Sequence, residues 1–549
     1  MRALAGVSIT GRLTARQAVA TIGQEVERVV SVRDMFHVAR RVARLAALSA
    51  VAALVGGAAL WGDAAAWAAA GPASASVATH HTAIHPTGGD ASVVLDPLYS
   101  SADDFFRSAR LHTIELTIDA NDFARMPPAN GHAGRGIGGG QANGADDSSG
   151  YTKVPAELRF DGQDMGQIAV RYKGNSSYRG ARTDLKRSLK LEFAHGDTHH
   201  RFFGMREINL NNNAFDGSQL RETLAYEMFR AADVPAPRTA FARVYITVPG
   251  LHEHDYAGLF TVVEEVDQQF FEQRWGRKIG VLLKPEGLSG LPDLGQDWKP
   301  YETAYSSKLK ARPADAQRLI GFVQFLDHTS NEQFASHLAD YLDVDEFLRF
   351  LAVETLIVNS DSPLAMNHNY YLTVHPDSGK VVWVPWDMNM AFGGFRRGEL
   401  DLSVFRPSAP GIFPLADRVL ADPALSQRYR HEVQTLLDNV MTRAHMDAEL
   451  RRLLTQIQVA ALQDPAGGAG QFEMNFQAQP GRAHKGSGRA GAAVDDFDDD
   501  NFGGLGIHER IGPPLRAFIE QRIVAVREQL AGKRSGVPGR AGFGPGLGQ

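Results

Sequence analysis

Between Leu111 and Val263 the chain carries short runs in which apolar and polar residues alternate, and from about Ala314 onward this period gives way to helical spacing. Strands come first and helices later, and the fold class is read as α+β. The strand candidates are Leu111–Ile118, Lys153–Phe160, Gln167–Tyr172, Lys186–Phe193, Phe241–Val248 and Gly258–Val263, with the turn DGQDMG between the second and third. A helix is predicted after Asp216, with Leu220, Leu224, Met228 and Phe229 on one face. Asp343 is placed to cap DEFLRFLAVETLIV. A strand pair, Tyr370–Val374 and Val381–Val384, follows, and long helices are expected at about 425–462 and 513–531.

The 549 residues include no cysteine, which excludes disulfide frameworks, thiolate catalysis and iron–sulfur clusters. Lys+Arg 57 against Asp+Glu 63 leaves a net charge of −6 and no basic field for nucleic acid. Glycine, 55 residues, is concentrated in two stretches at about 129–150 and 465–506 that read as insertions. The first contains Gly134-Arg-Gly136-Ile-Gly-Gly139, but a dinucleotide fingerprint must leave a strand and open a helix, and this one does neither. The second ends in Asp495–Asp500 without the glycine and terminal glutamate of a calcium loop, and reads as a solvated acidic segment. His80-His81 and His199-His200 have no partner at metal-ligand spacing.

Near the amino end, Leu45 to Gly62 is uncharged, follows Arg40, Arg41 and Arg44, and leads into the small-residue run AAAWAAAGPASASV. These are the parts of an export signal, and the length also suits a retained anchor, so residues 1–71 are read as one or the other. The working part of the chain is then expected outside the cytoplasm, periplasmic or extracellular, with contact to a membrane only through that anchor. Residues 72–110 read as a linker and 532–549 as a disordered tail.

The segment 359–394, NSDSPLAMNHNYYLTVHPDSGKVVWVPWDMNMAFGG, places Asp361 past a helix, Asn369 before one strand and Asp387 after its partner. Two hard-oxygen groups at the ends of adjacent strands can converge on one divalent ion, and a third acid nearby can orient a hydroxyl. Each residue also has a plain structural reading: Asp361 as a cap or turn residue, Asn369 as a strand-edge amide, Asp387 as a turn former.

With VRYKGNSSYRG, LKRSLKLEF, LNNNAFDGSQLRETLAYEMFRAADVPAP, YAGLFTVVEEVDQQFF, GVLLKPEG, NSDS…NHNYYL, WVPWDMNMAFGG and PPLRAFIEQRIVAVREQL in this order, the chain resembles the spore-coat H (CotH) kinase family over roughly residues 111–531. The resemblance implies a two-lobed, protein-kinase-like fold, with a small antiparallel β-rich lobe at about 111–268 and a mainly helical lobe at about 269–531. It implies transfer of the γ-phosphate of ATP, with Mg2+ or Mn2+, to Ser, Thr or Tyr hydroxyls of a protein. In that reading Asp361 is the catalytic aspartate, Asp387 and Asn369 are the metal ligands, and Lys186 is the phosphate clamp with Lys190 as its rival. Glu264 takes the hinge position, Glu222 and Glu227 are candidate partners of the lysine, and Ser176 lies in a turn suited to phosphate contact. Asn389 stands where many relatives carry a second acid. The alternative is a non-catalytic, pseudokinase-like envelope or coat protein that keeps the fold for binding.

Overall fold

The computed structural model describes residues 99–128, 150–174, 176–181, 183–193, 201–285, 288, 290–395, 399–466, 469–476 and 513–541. The signal or anchor at 1–71, the glycine fingerprint, both histidine pairs and the acidic run at 495–500 lie outside the described residues. Among the described residues no helix is long and apolar enough to cross a membrane.

The first half builds a closed β-barrel. In chain order come α1 (Ala102–Arg107), β1 (Leu111–Thr117), α2 (Ala120–Arg125), β2 (Val154–Phe160), β3 (Gln163–Tyr172), α3 (Ser176–Arg179), β4 (Leu189–Glu192), β5 (Glu207–Asn211), α4 (Arg221–Ala231), β6 (Thr239–Val248) and β7 (His252–Glu264). Around the barrel the order is β1-β2-β3-β4-β5-β7-β6. Alternation puts Val154, Ala156, Leu158 and Phe160 of β2 inward, where they meet Ile114, Leu116, Val170, Leu191, Leu210, Val244 and Val262 in one apolar core.

Several expectations are corrected here. The sheet is not purely antiparallel, because β1 runs parallel to β6, Leu111 opposite Phe241. The turn between β2 and β3 is only Asp161-Gly162, at φ 47° and 84°; both residues are left-handed, as a two-residue hairpin of this kind requires, so β3 starts at Gln163. The strand expected at Lys186–Phe193 is only Leu189–Glu192, and Lys186 lies in the loop before it. β5 had no sequence counterpart. Part of the supposed linker is ordered into α1, whose Phe105 is fully buried in the barrel core.

The second half comprises α5 (Gln268–Trp275), β8 (Leu282–Leu283), α6 (Trp298–Ala304), α7 (Pro313–His328), α8 (Asn331–Tyr341), α9 (Val344–Ile357), β9 (Tyr370–Val374), β10 (Val381–Pro385), α10 (Pro414–Ala421), α11 (Pro423–Asn439), α12 (Arg443–Leu462), α13 (Ala469–Met474) and α14 (Leu515–Leu530). β8, β9 and β10 form a small sheet in the order β10-β9-β8. Asp343 caps α9 by accepting from the Glu346 N–H at 3.1 Å. The single helix expected over 425–462 is two, since Thr442 starts α12 afresh by accepting from the His445 N–H at 3.1 Å. α13 falls inside the second supposed insertion, and Val537 of the supposed tail bridges to Leu402. Buried side chains of α4, α7, α9, α11, α12 and α14 share a second core, which also takes Phe241, Leu259 and Val263 from the barrel wall.

Candidate active site

α9 ends in Val358 at φ 50°, a left-handed conformation that a β-branched residue seldom adopts. The chain turns sharply there and presents Asp361. The Asp361 carboxylate is held by His368 Nε2 at 2.7 Å. Asn369 donates from Nδ2 to the Asp361 backbone oxygen at 2.7 Å and to its Oδ2 at 3.3 Å. Across the β9–β10 pair the Trp386 N–H donates to the Asn369 oxygen at 3.0 Å, which sets Asp387 beside Asn369. The Asp387 N–H in turn donates to the Tyr226 hydroxyl of α4 at 3.0 Å. Asn367, Asn369 and Asp387 all have φ between 51° and 62°. Left-handed non-glycine residues gathered at one place are a form of backbone strain often found at functional sites.

Burial pushes the Asp387 carboxyl above its ordinary range, and the charge of Asp361 pushes it further, against Lys173, Lys284 and His368. Lys173, just past β3, donates to Asn211 Oδ1 at 3.0 Å. Desolvation moves its ammonium down to about 8 in spite of Glu265, Asp387 and Glu222 nearby. It also stands 5.3 Å from the ring centre of Trp386. Glu222 of α4 takes both Asn211 Nδ2 contacts, at 3.0 and 2.9 Å. Its burial, with Asp387 close by, pushes it up to about 8. Further along the barrel wall Lys190 stands 2.7 Å from Glu207 and 3.0 Å from Glu265. Asn209 Nδ2 donates to Glu265 at 2.7 Å. Burial pushes Glu265 up, yet Lys190, Asn209 and Lys173 together hold it below its ordinary range. Glu207, Lys190, Glu265 and Lys173 therefore alternate in sign along one row, which ends in the acids Glu222, Asp387 and Asp361.

The structure thus brings together Asp361, Asn369, Asp387, Glu222 and, at the far end of the row, Lys190. Lys186 lies elsewhere. Buried at 5% exposure, it pairs with Asp464, whose Oδ2 also accepts from the Leu259 N–H at 2.9 Å. Because Lys186 is outside β4, it does not share a strand face with Lys190. The Glu264 side chain does not join the row: it accepts from the Arg238 N–H and Nε, both at 3.0 Å, and from Arg274 Nη2 at 2.7 Å. Glu227 pairs with Arg452 at 2.5 Å. Ser176 opens α3, and among the described residues no hydrogen bond or ion pair joins its side chain to Asp387. Lys173, Lys284, His368 and Tyr226 were missed as individual residues. The usable signal for Lys173 was a cation set between the buried end of a strand and Gly174.

The oxygen donors around Asp387 fit a divalent cation. Among the described residues no three His, Asp or Glu side chains form a complete cage. One carboxylate and one amide beside a second carboxylate are the partial set that magnesium completes with water and phosphate oxygens. The like-charge pressure of Asp361 on Asp387 is what such an ion would relieve.

Comparison with known proteins gives a match of residues 170–484 to the family described as CotH kinase protein. Inner spore coat protein H of Bacillus subtilis (strain 168) is 25% identical over 316 residues, covering 57% of this chain and 82% of that protein. Invasin CotH7 of Rhizopus delemar is 23% identical over 242 residues, covering 42% of this chain and 39% of the invasin. Among solved structures, the Helicobacter pylori proinflammatory kinase CtkA aligns at TM-score 0.20 and 11% identity, over 62% of this chain and 95% of CtkA. A Shewanella oneidensis MR-1 complex of HipA, HipB and operator DNA aligns at TM-score 0.21 and 10% identity, over 66% of this chain and 74% of the matched chain.

Proposed function

The chain belongs to the CotH kinase protein family, and from that premise we propose that it is a phosphotransferase moving the γ-phosphoryl group of ATP to a hydroxyl of a protein. The observation that carries this reading is the convergence of Asp361, Asn369 and Asp387 facing Lys173. In this reading the barrel and the helical half are the two lobes of a kinase-like fold. Asp361, steadied by His368, orients the acceptor hydroxyl and takes its proton as the new P–O bond forms and ADP leaves. Asp387 and Asn369 would hold Mg2+ or Mn2+, which when bound neutralises phosphate charge. Lys173 contacts the phosphates, in place of the Lys186 expected from the resemblance, and Lys190 holds Glu265 beside it. Catalysis then rests on positioning and charge, with no covalent intermediate on the protein.

The test is incubation with labelled ATP and Mg2+ or Mn2+, comparing wild type with Asp387→Ala. Metal-dependent labelling absent from the variant supports transfer, and labelling equal in both refutes it. The names of the two relatives, a spore coat protein and an invasin, favour a coat or cell-surface location for this chain and motivate a second reading, a binding protein with an inactive kinase-like fold. The labelling assay separates the two, and a thermal shift with Mg-ATP tests whether the fold keeps a nucleotide site. A ligand at about 100 times its Kd stabilises by roughly 2.7 kcal/mol, and a shift that vanishes in Asp387→Ala excludes a fold with no nucleotide site.

A further inference from the structure

One acid beneath the Asp361 loop has no part in the scheme above. Glu354 lies on the last turn of α9 and is fully buried. Among the described residues neither of its carboxyl oxygens has a hydrogen-bond partner of ordinary geometry, and the side-chain oxygen of Asn359 has none either. The groups that face Glu354 are the Asn359 amide and the Ser362 hydroxyl, and the charge acting on it is Asp361, of like sign.

Every other polar group of Asn359 is engaged. Its N–H donates to the Glu354 backbone oxygen at 3.2 Å, and its carbonyl accepts from Ser362 Oγ at 2.5 Å. Its Nδ2 donates to Met388 Sδ at 3.2 Å, next to Asp387. Only Oδ1 is left over. An amide oxygen only accepts, and so does an ionised carboxylate, so the two can satisfy each other only if the glutamate carries a proton. Burial, with a smaller push from Asp361, moves the Glu354 carboxyl up to about 8, against the Asn359 and Ser362 side chains, which hold it down. An unpaired carboxylate is also the form that a buried site least tolerates.

We propose that Glu354 is protonated and donates its O–H to Asn359 Oδ1, which makes it a positioning residue for the two loops that carry Asp361 and Asp387. Asn359 is a side-chain tie between those loops, because it stands two residues before Asp361 and bonds the residue after Asp387. Backbone bonds from the Phe392 N–H to the Ile357 oxygen at 2.5 Å and from the Gly393 N–H to the Val358 oxygen at 3.2 Å reinforce the same junction. With Oδ1 pinned, the amide cannot rotate away from Met388 and the spacing of the aspartates is fixed. The catalytic consequence rests on the phosphotransfer reading; the protonation does not.

The experiment compares full-length wild type, Glu354→Gln and Glu354→Ala. Gln supplies an N–H donor that cannot titrate. The raised carboxyl makes the wild type lose stability as pH rises from about 5 to 8, because the folded state holds a proton that the unfolded state releases near 4.3. Glu222 and Glu346 remain in both proteins, so the melting-temperature difference between wild type and Glu354→Gln isolates Glu354. The expected result is a difference that moves in favour of Gln across that range, with kcat of Glu354→Gln within about twofold of wild type and kcat of Glu354→Ala about 10²-fold lower. A difference that stays constant with pH overturns the protonation, and Gln falling as far as Ala overturns the donor role. If wild type transfers no phosphate, the phosphotransfer reading fails while the pH comparison still decides Glu354; should Glu354→Ala not fold, the Gln arm suffices.

Discussion

Lys173 and Lys186 stand at the two ends of the connection between β3 and β4, and the fold treats them in opposite ways. Lys186 is enclosed with Asp464, and that aspartate also bonds the backbone of β7. The fit is tight enough that a Cβ at Gly258, where φ is +133°, would lie 2.9 Å from both Asp464 Oδ2 and Lys186 Cδ. Lys173 bonds a neutral amide and faces three acids without closing an ion pair on any of them in the described contacts. A lysine with a dedicated counter-ion is a structural tie, whereas one desolvated opposite several acids is placed to meet an incoming anion.

This contrast can be broken most directly at the far side of the row. Asp387→Ala is expected to lower phosphotransfer by about 10²–10³-fold, measured as initial rates at saturating ATP. The next effect divides the two lysines. Lys186→Met leaves Asp464 buried and unpaired, and denaturant unfolding should show a loss of about 3–5 kcal/mol. The double variant Lys186→Met with Asp464→Leu should recover most of that loss, and failure to do so would show that the tie matters for more than its charges. Lys173→Met should do the reverse: stability within about 1 kcal/mol of wild type, but ATP affinity reduced at least about tenfold. The pH dependence sharpens the point. Lys173 loses its charge as pH rises through about 8, so ATP binding should weaken between pH 7 and pH 9 in wild type and much less in Lys173→Met. Smallest is Asp343→Ala, which removes the α9 cap far from both lysines and should cost about 1 kcal/mol without changing the ATP affinity.

Much of the fold was legible because its signals are local. Alternation marked β1, β2 and β6 to within a residue or two, and a capping aspartate marked α9. Lys186 was misplaced because the strand after it is only four residues long, so alternation was extended into a loop where it has no meaning. β5 escaped although EINLN alternates, because its polar positions are asparagines, poor strand formers, kept there for Glu265 (Asn209) and for Glu222 and Lys173 (Asn211). The nearness of Asp361, Asn369 and Asp387 was legible because they crowd one short segment. Lys173 was passed over because its acids come from α4, the end of β7 and the β10 turn, and no local pattern announces a meeting of four distant pieces of chain.

The parallel pairing of β1 with β6 has a consequence for how this protein comes to exist. β2 can join β1 early, but the other side of β1 waits for Phe241 and its neighbours. Until then β1 presents an unpaired edge of the kind that recruits foreign strands. Closure over so long a separation in sequence is entropically slow. The barrel therefore has a vulnerable interval during synthesis, and a chain cut short before β6 is expected to aggregate where the finished barrel, which has no free edge, does not.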